Sequence, residues 1–146
     1  MRISIASDHA GFEQKCMLVD YLIECGHEVV DLGPDSDDRV DYPDFAEKVA
    51  RSVVAGESER GVLVCGTGIG MAVAANKIDG IRAANVTSPE FAALAREHND
   101  ANVVTVSGRF VDEETNRRIV DAFIATEFGG GRHAGRVEKI AQLERN

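Results

Sequence analysis

A single thiol, Cys65, stands between an apolar run, Val62-Leu63-Val64, and a glycine-rich turn, Gly66-Thr67-Gly68-Ile69-Gly70. Two kinds of chemistry follow from those residue types. The thiol could act as a base or a nucleophile. The bare amides of the turn could hold an anion where a helix begins. A helix N-terminus also favours a thiolate over a thiol. Inert packing competes with this reading, because free cysteine is among the most buried residue types. The glycines alone specify little. Their pattern is G-x-G-x-G, not G-x-G-x-x-G, and no G-K followed by Ser or Thr is present, so neither the dinucleotide nor the P-loop fingerprint is met.

Other polar residues collect where the strands should end. Asp8 and His9 follow the first strand, Tyr42 closes the loop after the second, Thr67 follows the third and Arg109 follows the fifth. Open α/β sheets bind ligands at those carboxyl ends. His98 and Asn99 fall instead at a helix C-terminus, toward the opposite edge of the subunit. If they contribute to the same site, a neighbouring chain is expected to supply them. Arg132 and Arg136, four apart where the last helix begins, can share a face and suit a phosphate monoester.

Each has a plainer role as well. Asp8 could cap the first helix, His9 could be a surface histidine, and Tyr42 could pack before Pro43. His98 suits a helix C-terminus, and Arg132, His133 and Arg136 could form a solvated turn. A Cys65-His98-Asn99 triad can be written from residue types, but no local signature supports it. No H-x-x-x-H or H-E-x-x-H pattern occurs, so no metal site is expected.

The elements that must position these groups alternate along the chain. Strands are expected at Arg2 to Ala6, Glu28 to Leu32, Val62 to Val64, Ile81 to Val86 and Asn102 to Ser107. Val62-Leu63-Val64 is apolar without alternation, as in a strand buried on both faces of a parallel sheet. Helices are expected at Phe12 to Glu24, from Pro43, at Met71 to Asn76, from Ser88-Pro89-Glu90 to Glu97, after an Asp112 N-cap, and at Ala134 to Glu144. This βαβα order predicts an α/β fold: one domain over residues 1–146, a three-layer αβα sandwich on a Rossmann-like, five-stranded parallel sheet. The helix at Ala134 to Glu144 is the extra piece. It follows Gly129-Gly130-Gly131, has no strand after it, and is expected to reach over a second subunit.

Composition narrows the function. The 146 residues make one domain with a full core. A net charge of −9 argues against a general nucleic-acid binder, since phosphate backbones need clustered Lys and Arg. No apolar run approaches the roughly 20 residues that span a bilayer, and the first residues do not have a signal-peptide pattern. The three cysteines lack C-x-x-C spacing. Cys16 and Cys25 would lie ~13 Å apart along one helix, too far to bridge. A reduced, cytoplasmic chain is expected.

Six runs together carry a resemblance that spacing alone does not. They are Ser7-Asp-His-Ala-Gly-Phe12, Asp41-Tyr-Pro43, Cys65-Gly-Thr-Gly-Ile-Gly70 with Ala74-Ala-Asn-Lys77, Gly80-Ile-Arg-Ala83, Arg96-Glu-His-Asn-Asp100 and Gly130-Gly-Arg-His133. Over essentially its whole length the chain closely resembles the type B ribose-5-phosphate isomerase family, which also includes allose-6-phosphate and galactose-6-phosphate isomerases. The resemblance implies interconversion of an aldose phosphate and a ketose phosphate through a cis-enediolate, without metal or organic cofactor. It implies Cys65 as the base that moves a proton between C2 and C1, and the amides of Gly66, Thr67, Gly68, Ile69 and Gly70 as the cradle of the enediolate. The Thr67 hydroxyl would shuttle a proton between O1 and O2. His98 would open the furanose ring, assisted by Asp8 and Tyr42, and Asn99 would bind a substrate oxygen. His9, Arg109, Arg132 and Arg136 would clamp the phosphate.

In that family the site lies between two subunits, which implies a homodimer or homotetramer with the His98 segment and Arg109 supplied by the partner. The family divides between a Cys base here and a Glu a few residues later. Positions 71–75 of this chain hold no acid, which places it in the Cys branch. Asn85-Val-Thr87 and Phe91 depart from many relatives, away from the expected chemistry. Ribose 5-phosphate and ribulose 5-phosphate are the expected pair. Allose 6-phosphate, galactose 6-phosphate or a tetrose phosphate is the near alternative. A non-catalytic phosphate- or nucleotide-binding module, with Cys65 structural, is the distant one.

Overall fold

The computed structural model describes residues 1–145. Strands and helices alternate: β1 (Arg2–Ser7), α1 (Phe12–Glu24), β2 (Glu28–Asp31), α2 (Tyr42–Val54), β3 (Arg60–Cys65), α3 (Ile69–Ala75), β4 (Ala83–Asn85), α4 (Pro89–Asn99), β5 (Val103–Ser107), α5 (Glu113–Ala125) and α6 (Arg132–Leu143). The five strands form one parallel sheet in the order β2-β1-β3-β5-β4. The expected αβα sandwich is what the chain adopts.

Alternation along β3 sorts its side chains to two cores. Val62 and Val64 face α1, α4 and α5 with Leu18, Leu22, Ile119 and Phe123. Leu63 and Cys65 face α2 and α3 with Val49, Ala50, Met71 and Ala75. Cys65 is therefore aimed at the helix that follows it. Burying a side chain such as Leu63 or Val64 contributes about 1.5–3 kcal/mol, and both are fully buried.

The strand order creates a switch point. From β1 the chain moves outward to β2, whereas from β3 it moves the other way, to β4. The loops after β1 and β3 thus part, and a crevice opens between them at the carboxyl ends of the strands. Register puts Ser7 beside Val64 and Cys65 beside Ser107. Asp8, Cys65 and the loop after β5 meet at one edge. That edge is tightly packed: a Cβ on Gly11 would fall 2.4 Å from the Val64 carbonyl oxygen.

Several boundaries differ from expectation. The fourth strand is only Ala83–Asn85, because Ile81 and Val86 are buried outside the ladder. α3 begins at Ile69, so Ile69 and Gly70 form its first turn. Tyr42 opens α2 instead of ending the loop before it. α4 runs on through His98 and Asn99, and α6 starts at Arg132, directly after the glycines. The expected caps are present. The Ser88 and Asp112 side chains accept from the Phe91 and Thr115 amides. α6 has an apolar stripe yet no buried residue, and Leu143 is 70% exposed.

Candidate active site

The glycine turn is built around Cys65. The Gly68 amide donates to Cys65 Sγ at 3.1 Å, and the Ile69 amide donates to Thr67 Oγ1 at 3.1 Å. Gly68 has φ +82, a left-handed conformation that most side chains avoid. Two of the five amides expected to cradle an anion are thus engaged within the turn. Asn85 Nδ2 supports it from β4, donating to the Thr67 carbonyl at 3.3 Å, so this residue, expected to lie away from the chemistry, sits against the glycine turn.

The loop after β5 locks the turn from the other side. Gly108 N–H donates to the Cys65 carbonyl (2.8 Å), and Arg109 N–H and the Ser107 hydroxyl both donate to the Gly66 carbonyl (3.2 and 2.7 Å). A buried pair holds that loop. Gln14 Nε2 donates to the Gly108 and Val111 carbonyls, and Asn116 Nδ2 donates to Gln14 Oε1 and the Ser107 carbonyl.

Around this turn stand the first four side chains that the sequence singled out. Asp8 is buried, and its Oδ1 accepts from the Gly11 amide at 3.0 Å. It caps the turn that leads into α1, with Gly11 itself at the N-cap position. His9 Nδ1 accepts from the Val40 amide at 3.3 Å, so the proton of the neutral ring sits on Nε2, a donor. The Tyr42 ring covers Gly70: a Cβ there would fall 2.6 Å from it. Exposed Thr67 completes the group. Arg109 is expected from a neighbouring chain; here its guanidinium Nη1 lies 3.5 Å from where a Cβ of its own chain's Gly66 would be, so it flanks the turn of its own chain.

The remaining candidates form a second cluster. α4 runs back from the sheet's carboxyl edge for 11 residues, about 15 Å at 1.5 Å per residue. His98 at its far end stacks on His133 of α6, with ring centroids 4.3 Å apart and planes 15° apart. The Gly129 amide donates to the Glu97 carbonyl at 2.9 Å, which brings the start of α6 against the end of α4. Partial desolvation pushes the His133 imidazole below its ordinary range. The positive charges of His98, Arg132 and Arg136 add to that push, and Glu97 opposes it. His98, Asn99, Arg132 and Arg136 therefore travel together, at the far edge from Cys65.

The expected phosphate clamp is split, with His9 and Arg109 on one side and Arg132 and Arg136 on the other. Sequence reasoning gave His133 no part in the site, and nothing in a 35-residue separation signals a stacked pair. A cleft of about 540 Å³ runs between the β4 edge and α6, lined by Asn76, Arg82, Asn99, Ile140 and Leu143, and does not include the glycine turn. Among the described residues no three His, Cys, Asp or Glu side chains are grouped to hold a metal ion.

Comparison with known proteins agrees with this architecture. Residues 3–140 match the family model described as Ribose/Galactose Isomerase. Ribose-5-phosphate isomerase B of Escherichia coli (strain K12) is 46% identical over 143 residues, which are 98% of this chain and 96% of that protein. The structure of Clostridium thermocellum ribose-5-phosphate isomerase B superposes with a TM-score of 0.98 at 48% identity, covering 99% of this chain and 98% of the other. That of ribose-5-phosphate isomerase B from Mycoplasma genitalium, with bound ribulose-5-phosphate, gives a TM-score of 0.94 at 46% identity, covering 99% and 97%. With a family match spanning nearly every residue and neighbours almost half identical in sequence, the chain belongs to the ribose/galactose isomerase family.

Proposed function

We propose that this protein interconverts ribose 5-phosphate and ribulose 5-phosphate through a cis-enediolate, with Cys65 as the general base. One observation carries the reading. Cys65 Sγ is fixed by the Gly68 amide at the switch point of the sheet, with the Asp8 loop beside it in register. The Mycoplasma genitalium relative that holds ribulose-5-phosphate supports the substrate.

The Cys65 thiolate removes the proton from C2 of the open-chain aldose. The C2–H electron pair forms the C1–C2 double bond, and negative charge moves to O1. Amides of the Thr67 to Gly70 turn that remain free to donate stabilise that oxygen. Thr67 passes a proton from O2 to O1, and Cys65 returns its proton to C1. His98 acts earlier: it donates a proton to the ring oxygen as the bond from C1 to that oxygen breaks, while the C1 hydroxyl gives up its proton to Asp8 and becomes the aldehyde carbonyl, with Tyr42 assisting.

We infer that the site is shared between two copies of the chain. One copy gives Asp8, His9, Tyr42, Cys65, Thr67 and Arg109. The other gives His98, Asn99, Arg132 and Arg136. The split of these residues between opposite edges supports this, as does the uncovered stripe of α6. Either a dimer or a tetramer of such dimers satisfies it. Three free cysteines support a reducing, cytoplasmic setting. No described helix is long and apolar enough to cross a membrane.

The test is the rate of ribulose 5-phosphate formation by the purified, metal-stripped protein, with Cys65→Ala beside it. Turnover that is lost in the variant supports both the reaction and the base. Turnover that survives Cys65→Ala removes the base. No turnover by either, with turnover of allose 6-phosphate, galactose 6-phosphate or a tetrose phosphate, reassigns the substrate.

A further inference from the structure

We propose that Arg96 and Asp100 are positioning residues, which set the distance between the ring-opening group on α4 and the phosphate-binding arginines on α6. The inference rests on the roles given above to His98, Arg132 and Arg136.

Arg96 is only 2% exposed. Its Nη1 donates to Asp100 Oδ1 (2.9 Å) and the Ala101 carbonyl (2.6 Å), and its Nε donates to the Thr126 carbonyl (3.1 Å). A guanidinium this buried is costly unless fully paired, and its fork meets three acceptors on two segments. One is the end of α4. The other is the stretch from Thr126 into α6, which is stitched to α4 again where Gly129 N–H meets the Glu97 carbonyl. His98 lies between Arg96 and Asp100, and Arg132 follows the second stitch by three residues. A shift of the Arg96 fork must therefore move His98 relative to Arg132 and Arg136.

Asp100 fixes the fork. Among the described residues it is the one non-glycine with a positive φ, +48. Such a conformation is strained for most side chains and tolerated by Asp and Asn. A simple helix stop would be served at least as well by glycine. The carboxylate has further work. Oδ1 meets Arg96, while Oδ2 meets Arg82 Nη2 at 3.2 Å and the Asp100 carbonyl accepts from Arg82 Nε at 2.8 Å. Arg82 lies just before β4, and Asn102 Oδ1 holds its backbone. The cluster thus references the end of α4 to the sheet and α6 to the end of α4.

The experiment uses the full chain with Asp100→Asn, Arg96→Lys and, as a control, His98→Asn. Asparagine keeps the left-handed turn and one acceptor oxygen. Lysine keeps the charge but loses the fork. Thermal unfolding establishes that each variant is folded. The readouts are kcat and KM for ribose 5-phosphate, uptake of solvent deuterium at C1 of ribulose 5-phosphate, and the imidazole resonances of His98 and His133. Deuterium uptake needs the base and enediolate but no ring opening.

Expected for both positioning variants is a fall of about 10 to 100-fold in kcat, the scale of a 1 Å misplacement. Deuterium uptake at C1 should fall far less, and the His98 and His133 resonances should move. Unshifted resonances, kcat unchanged in the folded variants, or full function in Arg96→Lys would each overturn the proposal. If His98→Asn alone has wild-type kcat, the ring-opening role of His98 falls. The moved resonances together with a raised KM would still support the link between α4 and α6.

Discussion

Two regions of this molecule carry its polar chemistry, and they are built in opposite ways. The first, at the carboxyl edge of the sheet, is held through its backbone carbonyls, which accept from backbone amides and from the side chains of Gln14, Asn85, Ser107 and Asn116. The turn after β3 is pinned by hydrogen bonds from Gly108, Arg109 and Ser107, and Cys65 itself is 5% exposed. The second, at the far ends of α4 and α6, is held by side chains: a buried arginine fork, a stacked histidine pair and two arginines on a helix with no buried residue. The first is a finished half-site. The second is anchored on one face only and leaves Ile140 and Leu143 uncovered. A sugar phosphate needs acid, base and phosphate clamp within one small volume. On the shared site proposed above, the contrast teaches that folding would complete one half of such a site and association the other.

The largest effect should come from the finished half. Cys65→Ala is expected to lower kcat by about 10² to 10⁴, the usual worth of a general base, with substrate affinity largely kept. Competitive binding of substrate to the variant, measured beside its residual rate, checks both parts. A loss of affinity comparable to the loss of rate would make Cys65 structural.

The comparison itself can be broken by mixing. Cys65→Ala and His98→Asn damage opposite halves. If each site takes one half from each copy, a mixed dimer contains one doubly damaged site and one intact site. Unfolding and refolding the two inactive variants together should restore about a quarter of wild-type activity, from statistical pairing of the two chains in a symmetric dimer. A site contained within one chain would restore none.

How far the sequence disclosed these halves follows from how each is held. Cys65, Gly66, Thr67 and Gly68 are consecutive, so strand, turn and helix could be read as one unit, and the sandwich followed from the βαβα order. The ends of β4 could not be read, because Ile81 and Val86 are buried beyond a ladder of three residues and look like strand. The grip of Asn85 on Thr67 joins residues 18 apart, and His98 meets His133 across 35. No periodicity encodes such contacts. Placing His98 on the opposite edge from Cys65 needed only the direction of α4. Placing Arg109 beside its own chain's Gly66 needed its side chain.

The second half can be sharpened by weakening its anion grip alone. Arg136→Ala should raise KM about 10 to 100-fold, the loss of one or two charge-assisted hydrogen bonds at about 1.5–3 kcal/mol, with kcat within a few-fold because clamp binding is mostly uniform. Steady-state kinetics with ribose 5-phosphate decide it, and an unchanged KM removes Arg136 from the clamp.

The smallest effect is electrostatic and needs no catalysis to be seen. His133 titrates below its ordinary value of 6.5, through partial desolvation first and then the charges of His98, Arg132 and Arg136. A histidine with a lowered folded-state pKa stays neutral while the unfolded chain takes up a proton. Its contribution to stability is therefore neutral above 6.5 and turns unfavourable as pH falls through that value. An anion held between Arg132 and Arg136 would cancel two of the three charges that press on it. Inorganic phosphate should then move the His133 titration, followed by NMR, upward toward 6.5. Arg136→Ala should move it the same way without phosphate and blunt the further response to it. With four histidines in the chain the resonances are separable. If His133 ignores phosphate while KM still responds to Arg136→Ala, the two arginines bind the anion on a face turned away from the stacked rings. The clamp and the ring-opening group would then be separate devices on the same helix ends.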